Sequence, residues 1–235
     1  MNKKRLFFVA SIILALVLSA KFGLSKYREA AKNNNAFFES EIMAFEHADM
    51  QSPPKPGSIV FVGSSSIRFW KTLASDMAPL PIIRRGFGGA HMSHVLYNFD
   101  RIIMPYQPKA VVVFVGGNDI GSGKSAQRLI SDYQKFIDML EKKLPNTDLW
   151  ILSMKPSKAR WEHWPQMLEV DKALSAVALR DDKITFVDAG QSLLTEDGRP
   201  DDVYVFDGLH LNQEGYRRWT DVLKPLLLDK YISDS

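Results

Sequence analysis

The 235-residue sequence contains no cysteine, which excludes disulfides, thiolate catalysis and cysteine-ligated zinc in one step. The compartment stays open on that ground, because an exported domain of this size can fold without disulfides. Net charge is scarce as well. The formal +3 is owed to Lys3, Lys4, Arg5 and Lys21, and with those four set aside the remaining chain, residues 22–235, sums to −1. A body so close to neutral has no electrostatic footprint for nucleic acid. Internal repeats and low-complexity tracts are also missing. What is present suits one folded domain with an ample core: 46% hydrophobic and 24% charged residues, with 14 Phe, 7 Tyr and 5 Trp.

The long apolar run is N-terminal. Lys3-Lys4-Arg5 precedes the stretch Leu6 to Ala20, the order of a basic then an apolar region in a secretory signal peptide. Continued past Lys21 to Leu24, the same run just reaches the ~20 residues that a membrane helix needs, its lysine snorkelling. Gly23-Leu24-Ser25 offers a small-x-small cleavage site. Signal peptide and retained signal-anchor helix over residues 1–25 both stay open. Either keeps the basic cluster inside and delivers residues 26–235 outside, to a periplasmic or other extracytoplasmic location.

Residues 26–57 read as an N-terminal helix and a linker. Tyr27, Ala31, Phe37, Phe38, Ile42 and Phe45 form an apolar stripe over 26–48, interrupted near Asn33-Asn34-Asn35. Gln51-Ser52-Pro53-Pro54-Lys55-Pro56-Gly57 cannot continue it. Over 58–235, short apolar runs alternate with amphipathic stretches. The runs predict strands at Ser58–Val62, Pro81–Ile83, Ala110–Val115, Leu149–Ser153 and Ile184–Val187. The stretches predict helices near 66–77, 90–101, 125–143, 165–180 and 213–229. Strands apolar on both faces and separated by helices imply a parallel sheet covered on both sides. With right-handed crossovers this is a three-layer α/β/α domain with a five-stranded, doubly wound, flavodoxin-like sheet. Such folds bind ligands beyond the carboxyl ends of their strands.

Those ends carry polar and glycine-rich residues. The first strand stops at Gly63-Ser64-Ser65-Ser66, a turn that places a hydroxyl at a helix N-terminus, although serines there also serve as N-caps. The second stops at Arg85-Gly86-Phe87-Gly88-Gly89-Ala90, where glycines allow a tight turn with N–H groups directed into a cleft. The third stops at Gly116-Gly117-Asn118-Asp119, which offers a side-chain amide, or an ordinary turn. Before the last helix stands Asp207-Gly208-Leu209-His210, where a carboxylate can orient Nδ1–H of an imidazole and leave Nε2 to accept a proton.

Taken together, the four segments resemble the blocks of the SGNH/GDSL hydrolase superfamily, from about Ile59 to Tyr216, with Arg-Gly-Phe-Gly-Gly similar to its platelet-activating-factor-acetylhydrolase-like branch. The resemblance implies the SGNH hydrolase fold and a serine esterase or lipase acting on small ester substrates such as glycan or lipid acyl esters. Residue by residue it implies Ser65 as nucleophile, Asp207 and His210 completing the triad, and Ser65, Gly89 and Asn118 forming the oxyanion hole. It implies no metal and no cofactor. Two departures stand out. The usual Gly-Asp-Ser is Gly63-Ser64-Ser65 here, and the acidic residue that often follows the second-block glycine is Ala90. Ser66 is then expected as the N-cap-like neighbour. An acyltransferase with the same triad and a catalytically silent carbohydrate- or lipid-binding module are the alternatives.

Other features invite reading. Gly121-Ser122-Gly123-Lys124-Ser125 resembles the end of a phosphate-binding loop, but the glycine required earlier is Asn118, so a loop capping the next helix is expected. His91 and His94 could contribute to a metal site but have no third ligand of suitable spacing, so surface or supporting roles are expected. Lys155, Arg160 and Trp161 follow the fourth strand on the ligand edge, and with Arg68 or Trp70 they either line a substrate rim or belong to a loop with a buried tryptophan.

Overall fold

The computed structural model describes residues 34–232 continuously, together with residues 7–9, 12, 19, 23, 26 and 29–32. The signal-peptide or anchor segment therefore lies largely outside the described residues, as do Tyr27 and Asn33. Among the described residues no helix is long and apolar enough to cross a membrane.

The strands are β1 (Ile59–Gly63), β2 (Ile82–Gly86), β3 (Ala110–Phe114), β4 (Asp148–Leu152) and β5 (Ile184–Val187). All neighbours are parallel in the order β2-β1-β3-β4-β5. The helices are α1 (Glu39–Gln51), α2 (Ser65–Phe69), α3 (Leu73–Asp76), α4 (Met92–Tyr97), α5 (Phe99–Ile102), α6 (Gly117–Gly121), α7 (Ala126–Lys143), α8 (Trp164–Ala178) and α9 (Gln213–Ile232). Fold class and sheet are those expected from the pattern of apolar runs.

The two-residue period of the strands sorts their side chains into two cores. Val60, Val62, Val111, Val113, Leu149 and Ile151 face one layer, with Phe38 and Ile42 before and on α1, Phe99 on α5, Phe136 on α7 and Val170 on α8. Ile59, Phe61, Val112, Phe114, Trp150 and Leu152 face the other, with Trp70, Leu73 on α3, and Trp219, Leu223 and Leu227 on α9. Because β1 and β3 are buried on both faces, they carry no polar position until they end. The chain runs from β1 outward to β2, then crosses back to β3 and beyond. The topological switch thus falls between the ends of β1 and β3, where a doubly wound sheet opens a crevice.

The predicted helix over 66–77 is two short helices. The chain breaks at Trp70, whose indole is buried and donates to Asp76 Oδ2 at 2.6 Å, where Thr72 Oγ1 also donates at 2.7 Å. The helix predicted over 90–101 breaks at Asn98, which donates its side-chain amide back to His94 O at 3.0 Å. The Gly-Asn-Asp segment after β3, for which an ordinary turn was the alternative to a site amide, forms the short helix α6.

The N-terminal segment packs onto the domain rather than standing away from it. Residues 29–32 are helical and residues 35–38 turn into α1. Phe38 and Ile42 are fully buried, and Arg101 binds Glu39 and Glu46 at 2.7 Å each. Asp49 pairs with Arg85 and accepts a hydrogen bond from Tyr106.

Candidate active site

Glycine decides the turn after β1. A Cβ on Gly63 would lie 2.0 Å from Phe114 O, so a side chain there would break the pairing of β1 with β3. With glycine, Ser64 N–H donates to Phe114 O at 3.1 Å and the chain enters α2 with Ser64 at the N-cap position and Ser65 as first helical residue. The three serines part company here. Ser64 and Ser66 are buried, and Ser66 Oγ accepts a hydrogen bond from Lys155 Nζ at 3.1 Å. Ser66 is therefore not the N-cap-like neighbour that was expected, since Ser64 holds that position. Ser65, half-exposed, presents its Oγ 2.9 Å from His210 Nε2.

The imidazole is held from behind. His210 Nδ1 lies 2.5 Å from Asp207 Oδ2, while Asp207 Oδ1 accepts the N–H groups of Leu209 at 2.8 Å and His210 at 2.9 Å. A carboxylate only accepts, so Nδ1 carries the proton and Nε2 is left as the acceptor facing Ser65. Partial burial opposes charge on Asp207. The N–H of His210, the imidazole and the N–H of Leu209 outweigh it and hold the carboxyl below the usual carboxylate range. The loop is closed by Val205 N–H donating to His210 O at 2.9 Å. Phe69, at the end of α2, meets the imidazole edge-on at 5.0 Å, and Phe206, the residue before Asp207, is fully exposed.

The turns after β2 and β3 carry the residues expected as oxyanion donors. Gly89 adopts φ +85, a left-handed conformation that favours glycine, and Phe87 N–H donates to Gly63 O at 3.1 Å, tying this turn to the serine turn. Among the described residues nothing accepts the backbone N–H of Ser65 or of Gly89. Asn118, in the first turn of α6, donates to Ala90 O at 3.0 Å and accepts from Arg160 Nη2 at 2.8 Å. Behind it, buried Asp119 receives Met92 N–H at 3.2 Å and Lys124 Nζ at 2.8 Å, locking α6 to the start of α4. Burial pushes the Asp119 carboxyl up to about 6 against the pull of Lys124. Ser65, His210 and Asp207 are thus joined in line by hydrogen bonds, while Gly89 and Asn118 stand on the turns after β2 and β3, linked by the hydrogen bond from Asn118 to Ala90 O.

Lys155 is buried rather than on a rim. Its ammonium donates to Leu209 O at 2.5 Å as well as to Ser66, bridging α2 and the loop that carries His210. Burial pushes it down to about 7, Arg160 acts in the same direction and Asp207 against. The folded protein therefore releases this proton near 7, whereas the unfolded chain keeps it to about 10.5. Between those values unfolding takes up a proton, so this group makes stability rise with pH across the window. Denaturant unfolding of wild type and Lys155→Met at pH 7 and 9.5 should show a steeper rise for wild type; parallel profiles would contradict it.

Other expectations change. Trp70 is fully buried in the core and is no rim residue. Of the surface or supporting roles expected for His91 and His94, burial leaves the supporting one. His94 accepts from His91 N–H at 2.9 Å and donates from Nε2 to Ala31 O at 2.8 Å, fastening the N-terminal segment. Burial pushes His91 down to about 3, and among the described residues no cluster of three His, Asp or Glu could hold a metal. The Gly121–Ser125 loop caps α7 through Ser125 Oγ and Arg128 N–H at 3.2 Å, as expected. The roles of Lys155 and Arg160 as internal partners were not legible, because only tertiary structure brings Ser66, Leu209 and Asn118 to them. A groove of about 860 Å³ runs between α1 and the edge strand β2, lined by Phe45, Lys55, Arg68 and Arg84 among others. It does not include Ser65 or His210.

A family model described as GDSL-like Lipase/Acylhydrolase matches residues 57–218. No curated protein matches the sequence. Among solved structures, a protein provisionally named a platelet activating factor from Streptococcus pneumonia superposes with a TM-score of 0.71 at 22% identity, covering 92% of this chain and 99% of that one. A GDSL-like lipase from Bacteroides thetaiotaomicron gives 0.66 at 19% identity, over 84% and 98% of the two chains. A carbohydrate esterase family 3 protein from Talaromyces cellulolyticus gives 0.60 at 16%, over 76% and 99%. At these identities the likeness is one of fold.

Proposed function

The chain belongs to the GDSL-like lipase/acylhydrolase family, a family of carboxylic ester hydrolases, and from that premise we propose that it is an exported serine esterase that removes short acyl groups through an acyl-enzyme. One observation carries the reading: Ser65 Oγ, His210 Nε2, His210 Nδ1 and Asp207 Oδ2 form an unbroken relay with steps of 2.9 and 2.5 Å.

Ser65 Oγ attacks the ester carbonyl as its proton passes to His210 Nε2, and Asp207 stabilises the imidazolium. The carbonyl oxygen gains negative charge against the N–H groups of Ser65 and Gly89 and the amide of Asn118. Collapse breaks the ester C–O bond, and His210 returns the proton to the departing alkoxide. Water, deprotonated by His210, then attacks the acyl carbonyl; the acyl C–Oγ bond breaks, His210 returns the proton to Ser65 Oγ, and the acid leaves.

Short acyl groups are favoured by the surroundings. The groove beside α1 does not reach Ser65, and the ring that meets the imidazole of the relay is the exposed Phe69. The acetyl and carbohydrate esterases among the structural neighbours are consistent with O-acetylated glycans as substrates. Export rests on the basic cluster and apolar run before residue 26; a chain found wholly in the cytoplasm would remove that part. For the substrate, turnover of p-nitrophenyl esters should be fastest for acetate or butyrate and fall about 10-fold or more by octanoate. Rates that climb steadily toward palmitate would overturn the short-acyl assignment.

A further inference from the structure

Asn118 is useful to an oxyanion only if its NH₂ end, not its carbonyl end, faces the substrate. A primary amide is nearly symmetric in shape, so rotation by half a turn exchanges donor and acceptor with little steric change. Two partners in this structure leave one orientation. Ala90 O can only accept, and it takes Asn118 Nδ2 at 3.0 Å. Arg160 can only donate, and its Nη2 reaches Asn118 Oδ1 at 2.8 Å. In the flipped amide each contact would become a repulsion, with oxygen against oxygen and N–H against guanidinium.

The surface around Arg160 is shaped for it. A Cβ on Gly121 would come within 2.9 Å of Arg160 Nε and one on Gly117 within 3.3 Å of Nη1, so the guanidinium lies across the two glycines that bracket α6. Its own backbone departs from the helical path around it, with φ −132 and ψ 25. The preceding residue ties the segment to the other half of the site, since Ala159 N–H donates to Gly208 O at 3.0 Å. A single segment thus touches the loop of His210 and the amide of Asn118.

We infer that Arg160 is a positioning residue for the reaction: it fixes the amide of Asn118 with its N–H bonds toward the substrate carbonyl oxygen. The inference rests on the esterase reading above and adds to it a residue outside the triad and the expected oxyanion donors.

The test is a double-mutant cycle on ester turnover in the full chain. Asn118→Ala should lower kcat ~100–1000-fold, the usual loss for one oxyanion donor. Arg160→Met should lower kcat roughly 10–100-fold, a fraction of that loss because Ala90 O still favours the same orientation, with KM changed less than about threefold. In the Asn118→Ala background Arg160→Met should cost less than about threefold, since the two act on one interaction. Equal costs in both backgrounds, or a loss confined to KM, would overturn the inference. Should Arg160→Met unfold, Arg160→Lys keeps a donor and its charge; it should retain a kcat between wild type and Asn118→Ala, and its loss should again vanish without Asn118. A wild-type protein that neither turns over esters nor reacts with a fluorophosphonate would instead defeat the esterase reading itself. Active wild type with a fully active Arg160→Met would defeat the inference alone.

Discussion

Replacing Ser65 with alanine should reduce ester hydrolysis by about 10⁴-fold or more, leaving what the oxyanion donors and substrate binding provide without a nucleophile. The same replacement at Ser66 should cost far less, and the contrast is what makes the prediction sharp. Ser66 is buried and its hydroxyl serves Lys155, whereas Ser65 Oγ faces His210 Nε2 at 2.9 Å. Removing the Ser66 hydroxyl leaves one of Lys155's two oxygen partners, Leu209 O, so the damage should appear in stability before it appears in kcat. Initial rates on p-nitrophenyl acetate, with thermal unfolding of each variant, separate the two. Comparable losses at both positions would mean that the turn, not the Ser65 hydroxyl, is what activity depends on.

Asp207→Asn is the second large effect, and its cause is a proton in the wrong place. Asp207 Oδ1 receives two backbone N–H groups, those of Leu209 and His210. In the asparagine variant the amide oxygen must keep that position, because an NH₂ group there would meet two donors. The amide NH₂ then faces His210 Nδ1 and donates to it. Nδ1 becomes an acceptor, the proton moves to Nε2, and the imidazole points an N–H bond at Ser65 in place of a lone pair. The fold and the loop survive, but the base does not. A loss of kcat of about 10⁴-fold follows, with the melting temperature little changed. Asp207→Ala should damage activity similarly and the loop more, since both backbone N–H groups lose their acceptor. An Asp207→Asn variant within tenfold of wild type would show that the carboxylate does not set the tautomer.

The fold was legible because burial on both faces leaves a plain mark. Val60 to Val62 and Val111 to Val113 are apolar without alternation, and only a central parallel strand uses such runs. Helix ends were less so. The break at Trp70 depends on an indole that turns inward to reach Asp76, a tertiary event that an apolar stripe does not encode. The same holds for His91 and His94: polar by type and placed on a helix by pattern, they read equally as surface or supporting residues, yet both are buried and His94 donates to Ala31 O. At the site, the turn glycines and the Asp-x-x-His spacing were visible because local backbone geometry demands them. Lys155 and Arg160 stood out only as polar residues after a strand. Their partners, Ser66 and Leu209 for one and Asn118 for the other, are far away in sequence, so no spacing rule connects them.

The account depends on the nucleophilicity of one hydroxyl. Incubation of the wild-type protein with a fluorophosphonate, followed by peptide mass mapping, addresses it without knowledge of the natural substrate. The expected result is a single adduct on Ser65, formed orders of magnitude more slowly once His210 is changed to alanine. An adduct on a serine elsewhere in the chain, or brisk ester turnover in a protein that the reagent never modifies, would contradict it.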